Sequence, residues 1–175
     1  RNMLGIDSSE VILLGAVGRL TRVKNYSFLI ELMAQLPQNY CCVIIGEGED
    51  GDLLKEQVRE LKLEDRVKLL GKRDDIPDLL CAMDLFVMPS LHEGLPFCII
   101  EAQASGLRCL ASDGISEEAN LFGNVSFINL SEIIDWKKQC LKTLDYIDRI
   151  QCNMRVKQSG YSIEESYESF VQAIN

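Results

Sequence analysis

The sequence predicts a doubly wound α/β domain, a Rossmann-like parallel sheet with helices on both faces. Three observations carry this. Short runs are apolar at every position, as strands covered on both faces require. Helix-length amphipathic stretches separate these runs, and glycines with charged residues recur just after each one.

Residues 11–17 form a continuous apolar run that ends at Gly18, the first strand. Residues 25–36 carry Phe28, Leu29, Leu32 and Leu36 at helical spacing until Pro37 stops the helix. A second strand over 41–45 is closed by Gly46-Glu47-Gly48-Glu49. A helix over 53–63 then sets Leu54, Val58 and Leu61 on one stripe, and a third strand over 67–70 is closed by Gly71. Residues 75–83 read as a short helix, 85–88 as a fourth strand stopped by Pro89-Ser90, and 97–105 as a helix ended at Gly106. A fifth strand over 108–111 leads into Ser112-Asp113-Gly114. A short helix over 115–122 and a weak sixth strand over 125–128 come next. Ser131 is the expected cap of a long helix to about residue 149, and residues 162–173 form a last helix on Ile163, Tyr167, Phe170 and Val171.

The 175 residues suit one domain. With 18 Lys and Arg against 27 Asp and Glu, the net charge of -9 offers no basic field for a polynucleotide. A small phosphorylated ligand stays within reach, since it needs one or two well-placed cations. No apolar run approaches the ~18 residues of a membrane span, and residues 1–5 do not open a signal peptide. The start at Arg1 in mid-pattern reads as a piece of something longer. Seven cysteines, odd in number and set mostly in apolar stretches, point to a reducing, cytoplasmic compartment. One His and no paired thiols give no metal site.

In an open parallel sheet, ligands bind at the carboxyl ends of the strands, so the residues after each strand are the candidates. Gly18 is followed by two cations, Arg19 and Lys24, beside the start of a helix whose exposed amides add positive charge. Together they suit a diphosphate and its charge as a leaving group; a turn glycine with solvated cations is the plainer alternative. The run lacks both GxxxxGK[ST] and GxGxxG. Glu101, one turn into an apolar helix, suits two ribose hydroxyls, or else lies on the wet face of that helix. Glu93 precedes Gly94 on the loop and can meet a polar substrate, and Gly94 permits close backbone approach. The amides of Leu95, Phe97 and Cys98 are placed to face a phosphate, whereas Pro96 has none. Gly46 and Gly48 bring the second loop near a ligand, and Arg73 with Ile76 border a flat ring, though surface turns explain both equally. His92 lacks any supporting pattern for catalysis. Glu117 and Glu118 suit helix electrostatics.

The ordered set Val17-Gly18-Arg19-Leu20, Lys24-Asn25, Gly46-Glu47-Gly48, Gly71-Lys72-Arg73-Asp74-Asp75-Ile76, Asp84 to Ser90, Glu93-Gly94-Leu95-Pro96 and Glu101 to Gly106 resembles a known family. It is similar to the carboxyl-terminal half of family 4 retaining nucleotide-sugar glycosyltransferases, in the variant of bacterial capsular and exopolysaccharide synthesis. The resemblance covers residues 1–125 well and the closing helices loosely.

That resemblance implies one half of a two-domain GT-B enzyme. Residues 1–175 would be the donor-binding domain, with 1–9 the tail of an interdomain linker and 131–175 the closing helices. An amino-terminal acceptor-binding domain would precede them. Arg19, Lys24 and Glu93 would be the catalytic groups, the two cations on the diphosphate and Glu93 at the donor sugar. Glu101 would hold the ribose, residues 94–98 the sugar and phosphates, and 72–76 the base, with Gly18 and Ser90 completing the donor site. The donor would be a nucleotide diphosphate sugar, uridine-linked by preference, without metal or cofactor. The acceptor would be a glycan or a lipid-linked sugar, with the full-length enzyme peripheral at the inner membrane face. Two positions depart from the wider pattern: Asn25 and Pro96 stand where many relatives have glycine. Three alternatives remain: a GT-B-like epimerase of uridine-linked amino sugars, a noncatalytic nucleotide-sugar binding module, and a reductase. The missing GxGxxG counts against the last. The isolated fragment is expected to be inactive.

Overall fold

The computed structural model describes residues 1–142 apart from 7, 9 and 122. Six strands form one sheet in the order β3-β2-β1-β4-β5-β6. They are β1 (Ile12–Val17), β2 (Tyr40–Ile45), β3 (Val67–Gly71), β4 (Leu85–Met88), β5 (Arg108–Ser112) and β6 (Val125–Ile128). Every pairing is parallel. Among the described residues, five α-helices connect or flank them: α1 (Tyr26–Gln35), α2 (Gly51–Glu60), α3 (Ile76–Ala82), α4 (Phe97–Ala104) and α5 (Ile133–Leu141). The expected doubly wound architecture is present, including the weak sixth strand.

Apolar runs become two cores because neighbouring strand residues point to opposite faces. Leu14, Ala16, Cys42, Ile44, Leu85 and Val87 pack under α1, α2 and α5. Leu13, Val43, Ile45, Phe86, Met88 and Ala111 pack under α3 and α4. Trp136 of α5 is fully buried, meets Phe28 edge-on at 5.2 Å and donates its indole N–H to the Asn129 carbonyl.

The cap of α5 differs from expectation. Glu132, not Ser131, is the capping residue, while the Asn129 side chain accepts from both the Ser131 amide and its hydroxyl. Asn129 thus makes the turn two residues earlier, using the local side-chain bonding that suits Asn as well as Ser. The rest of this helix, to about residue 149, and the helix over 162–173 lie outside the described residues. Residues 117–119 form a single 3-10 turn where a longer helix was expected.

The amino end of the sheet is fastened by Asp84. Its Oδ2 accepts from the Leu13 amide at 2.7 Å and from the Arg1 guanidinium, which also donates to the carbonyls of Ala82 and Val11. Among the described residues, no helix is long and apolar enough to cross a membrane.

Candidate functional site

The winding of the sheet reverses between β1 and β4: the strands after β1 are added one way across the sheet, those after β4 the other. The loops leaving these two adjacent strands therefore diverge and leave a crevice at their carboxyl ends. Lys24 comes from the first loop and Glu93 from the second, and they meet there, with Lys24 Nζ 2.7 Å from Glu93 Oε1. Both side chains are largely sheltered, at 16% and 22% exposure.

Backbone geometry sets this meeting. Residues 22–24 make a 3-10 turn, and Asn25 closes it in the left-handed conformation at φ 54°. Asn tolerates that conformation better than most residues with a side chain, which accounts for Asn where glycine is common. A Cβ on Gly18 would lie 3.2 Å from Lys24 Cε and 2.8 Å from the Tyr26 hydroxyl, so the bare glycine gives the lysine stem its path. The second loop is tied to its neighbours on both sides. The Leu91 amide donates to the Val23 carbonyl, the Glu93 amide to Gly114, and the Ser116 amide to Glu93.

The other expected residues divide into three groups. Gly94 is exposed, and a Cβ there would meet nothing within 4 Å, so the space beside it is open to a ligand. Leu95 and Cys98 are half-buried against the core, while Phe97 and Glu101 share the exposed face of α4. No side chain caps α4, and its first turn carries no acid, which leaves its amino end electropositive. Partial desolvation raises the Glu101 carboxyl above the usual carboxylate value. The Cys98 thiol is pushed up to about 11, mainly by burial and against the lowering effect of Lys24, so it stays protonated.

A second group is held by contacts within the protein. The Cβ positions of Gly46 and Gly48 face backbone: Cβ atoms there would run into Gly18 and Leu20 respectively. They let the second loop lie against the first, where Leu20 N donates to Glu47 O and Asp50 N to Leu20 O. Ser90 is wholly buried, its carbonyl accepting from the Ser112 hydroxyl and its own Oγ without a hydrogen-bond partner. Arg73 is held by both carboxylate oxygens of Asp75, and Ile76 packs against the core. Arg19 is exposed and 3.7 Å from Glu49.

The third group escaped the sequence reading. Tyr26 lies under the Lys24 stem and is buried, and desolvation, then the neighbouring Cys98 and Glu93, push its phenol up. The signal was present: Tyr26 stands three residues before Leu29 and shares the apolar stripe of α1. Gln103 is fully buried and clamps the loop after β5 to α4, donating to Ala119 and accepting from Leu121.

A cavity of about 370 Å³ opens at the ends of β2 and β3, lined by Leu20, Gly46, Glu47, Gly48, Lys55 and Gly71 among others. Arg19, Lys24, Glu93 and Glu101 do not line it, so the crevice pair and this cavity are neighbouring parts of one edge. Among the described residues, no group of three or more His, Cys, Asp or Glu is arranged to hold a metal.

Residues 4–126 match the family described as glycosyl transferases group 1. The putative glycosyltransferase EpsF of Bacillus subtilis is 39% identical over 131 residues, covering 73% of this chain and 34% of that protein. A UDP-Gal:alpha-D-GlcNAc-diphosphoundecaprenol alpha-1,3-galactosyltransferase of Escherichia coli is 42% identical over 103 residues, covering 55% and 27%. The chain thus spans about a third of the length of the curated relatives it matches. Among solved structures, Anabaena Alr3699/HepE in complex with UDP-glucose superposes with a TM-score of 0.70 at 25% identity, over 91% of this chain and half of that one.

Proposed function

The chain belongs to the group 1 glycosyl transferases, and from that premise we propose that it is the donor-binding half of a retaining enzyme. This enzyme moves a sugar from a nucleotide diphosphate sugar to a glycan or lipid-linked acceptor. The observation that carries the reading is the Lys24–Glu93 pair in the β1/β4 crevice, beside the uncapped amino end of α4. A cation, a carboxylate and free helical amides are what a sugar diphosphate needs at its reacting centre.

In this reading the diphosphate lies between Lys24, Arg19 and the first turn of α4. When the bond from the anomeric carbon to the terminal phosphate oxygen breaks, that oxygen takes the electron pair. Lys24 and the amides then stabilise charge that is absent from the intact donor. Glu93 accepts from sugar hydroxyls, and Glu101 accepts from the ribose. The base lies toward residues 72–76, next to the 370 Å³ cavity. Uridine is supported by the UDP and UDP-glucose complexes of the Anabaena protein. The name of the Escherichia coli relative supports a lipid-linked acceptor, and the exopolysaccharide setting rests on the resemblance alone. An amino-terminal domain would bring the acceptor, with residues 1–9 leading in from it.

Calorimetric titration with uridine, guanosine and adenosine diphosphates tests this. One diphosphate is expected to bind selectively and to be weakened by both Glu101→Ala and Lys24→Ala. Binding indifferent to both substitutions would overturn the site.

A further inference from the structure

The pairing of Lys24 with Glu93 is itself informative, because the proposed reaction gives these two groups different partners. Lys24 Nζ belongs on the diphosphate and Glu93 on the sugar, yet without ligand they hold each other at 2.7 Å. The contact is built in. The lysine stem lies against the bare face of Gly18, where a Cβ would come within 3.2 Å of its Cε. The loop bearing Glu93 is pinned by backbone bonds to Gly114 and Ser116. Both side chains are sheltered enough that leaving either one unpaired is costly.

Resting on the donor-binding reading, we infer that Glu93 is an intramolecular competitor of the diphosphate for Lys24. The intact donor releases Lys24 without penalty, because its sugar hydroxyls replace the ammonium on Glu93. The departing nucleoside diphosphate brings no such hydroxyls. It leaves a sheltered carboxylate unpaired, so the pair re-forms and the product is expelled. The same exchange makes the site prefer a nucleotide sugar over the nucleotide it yields. The apparent affinity for the product falls by the fraction of protein in which Lys24 is unpaired.

The test uses uridine diphosphate as the probe on the full protein, with Glu93→Gln, Lys24→Met and the double variant. Glu93→Gln is expected to bind the diphosphate on the order of tenfold more tightly, although it removes a group of the site. On the Lys24→Met background the same substitution is expected to change nothing. Unchanged or weaker binding by Glu93→Gln would overturn the inference. So would a gain that persists without Lys24, since that is plain charge repulsion.

A second measurement needs no ligand. Acylation of Lys24 by an amine-reactive ester, followed by mass spectrometry, is expected to run several-fold faster in Glu93→Gln than in the unaltered protein. Equal rates would overturn the pairing. Absence of diphosphate binding by every variant, with the acylation difference intact, would instead strike the donor-binding reading and carry this inference with it.

Discussion

The Cα of Gly46 faces the carbonyl oxygen of Gly18 so closely that no side chain fits between them, and its backbone sits at φ +141°. Two loops at the carboxyl edge are held together by that approach. Gly46→Ala is therefore expected to lower stability by about 2–4 kcal/mol, from steric overlap with backbone that cannot swing aside. Gly94→Ala meets nothing within 4 Å, and its expected effect is the reverse: unchanged stability and weaker donor binding. Urea denaturation and nucleotide titration of both variants check this. Equal stability losses would contradict it.

Glu101 supplies a pH dependence. Desolvation raises its carboxyl, so the folded protein holds this proton at a higher pH than the unfolded chain does. Its contribution to stability therefore falls as pH rises through that window. Nucleoside binding is expected to have the opposite sense, because in the proposed site the ionised carboxylate accepts from the ribose. As pH falls, affinity is expected to decline before an ordinary carboxylate would begin to titrate. Uridine, which carries no phosphate to titrate, isolates the effect, and Glu101→Gln is expected to flatten the profile. The same slope in that variant would assign it to another group.

Arg66 is nine-tenths buried and gathers the end of α1, donating to the carbonyls of Met33, Leu36 and Pro37 at 2.5, 3.1 and 2.7 Å. A helix end leaves such carbonyls without intrahelical partners and attracts cations. Arg66→Met is expected to cost about 2–4 kcal/mol. Arg66→Lys should fall between, since an ammonium lacks the planar fork that spans three acceptors. Full retention of stability in Arg66→Met, read by chemical denaturation, would contradict this.

Periodicity made the sheet legible because strands buried on both faces leave uninterrupted apolar runs. β4 and β6 begin and end where their runs do. Ends governed by side-chain bonding were less legible: Ser131 and Asn129 are both good turn formers, and choosing between them depends on where Trp136 must reach. The site was legible as a set of loop residues but not as pairs. A glycine in the sequence does not say which backbone it faces, so the packing of Gly46 and Gly48 on the first loop was not legible. Arg73 reads with Ile76 as the border of a flat ring, and nothing in its spacing says that Asp75 takes two of its donors. Lys24 and Glu93 belong to different loops, and the adjacency of β1 and β4 in the sheet brings them together.

The most direct test of the central claim is a backbone amide NMR titration of the chain with uridine diphosphate. The predicted result is shifts concentrated at Gly18, Lys24 and Asn25 and along residues 93–101, with smaller shifts at 72–76. Shifts confined to other surfaces, with these amides unmoved at saturation, would contradict a donor site in the β1/β4 crevice.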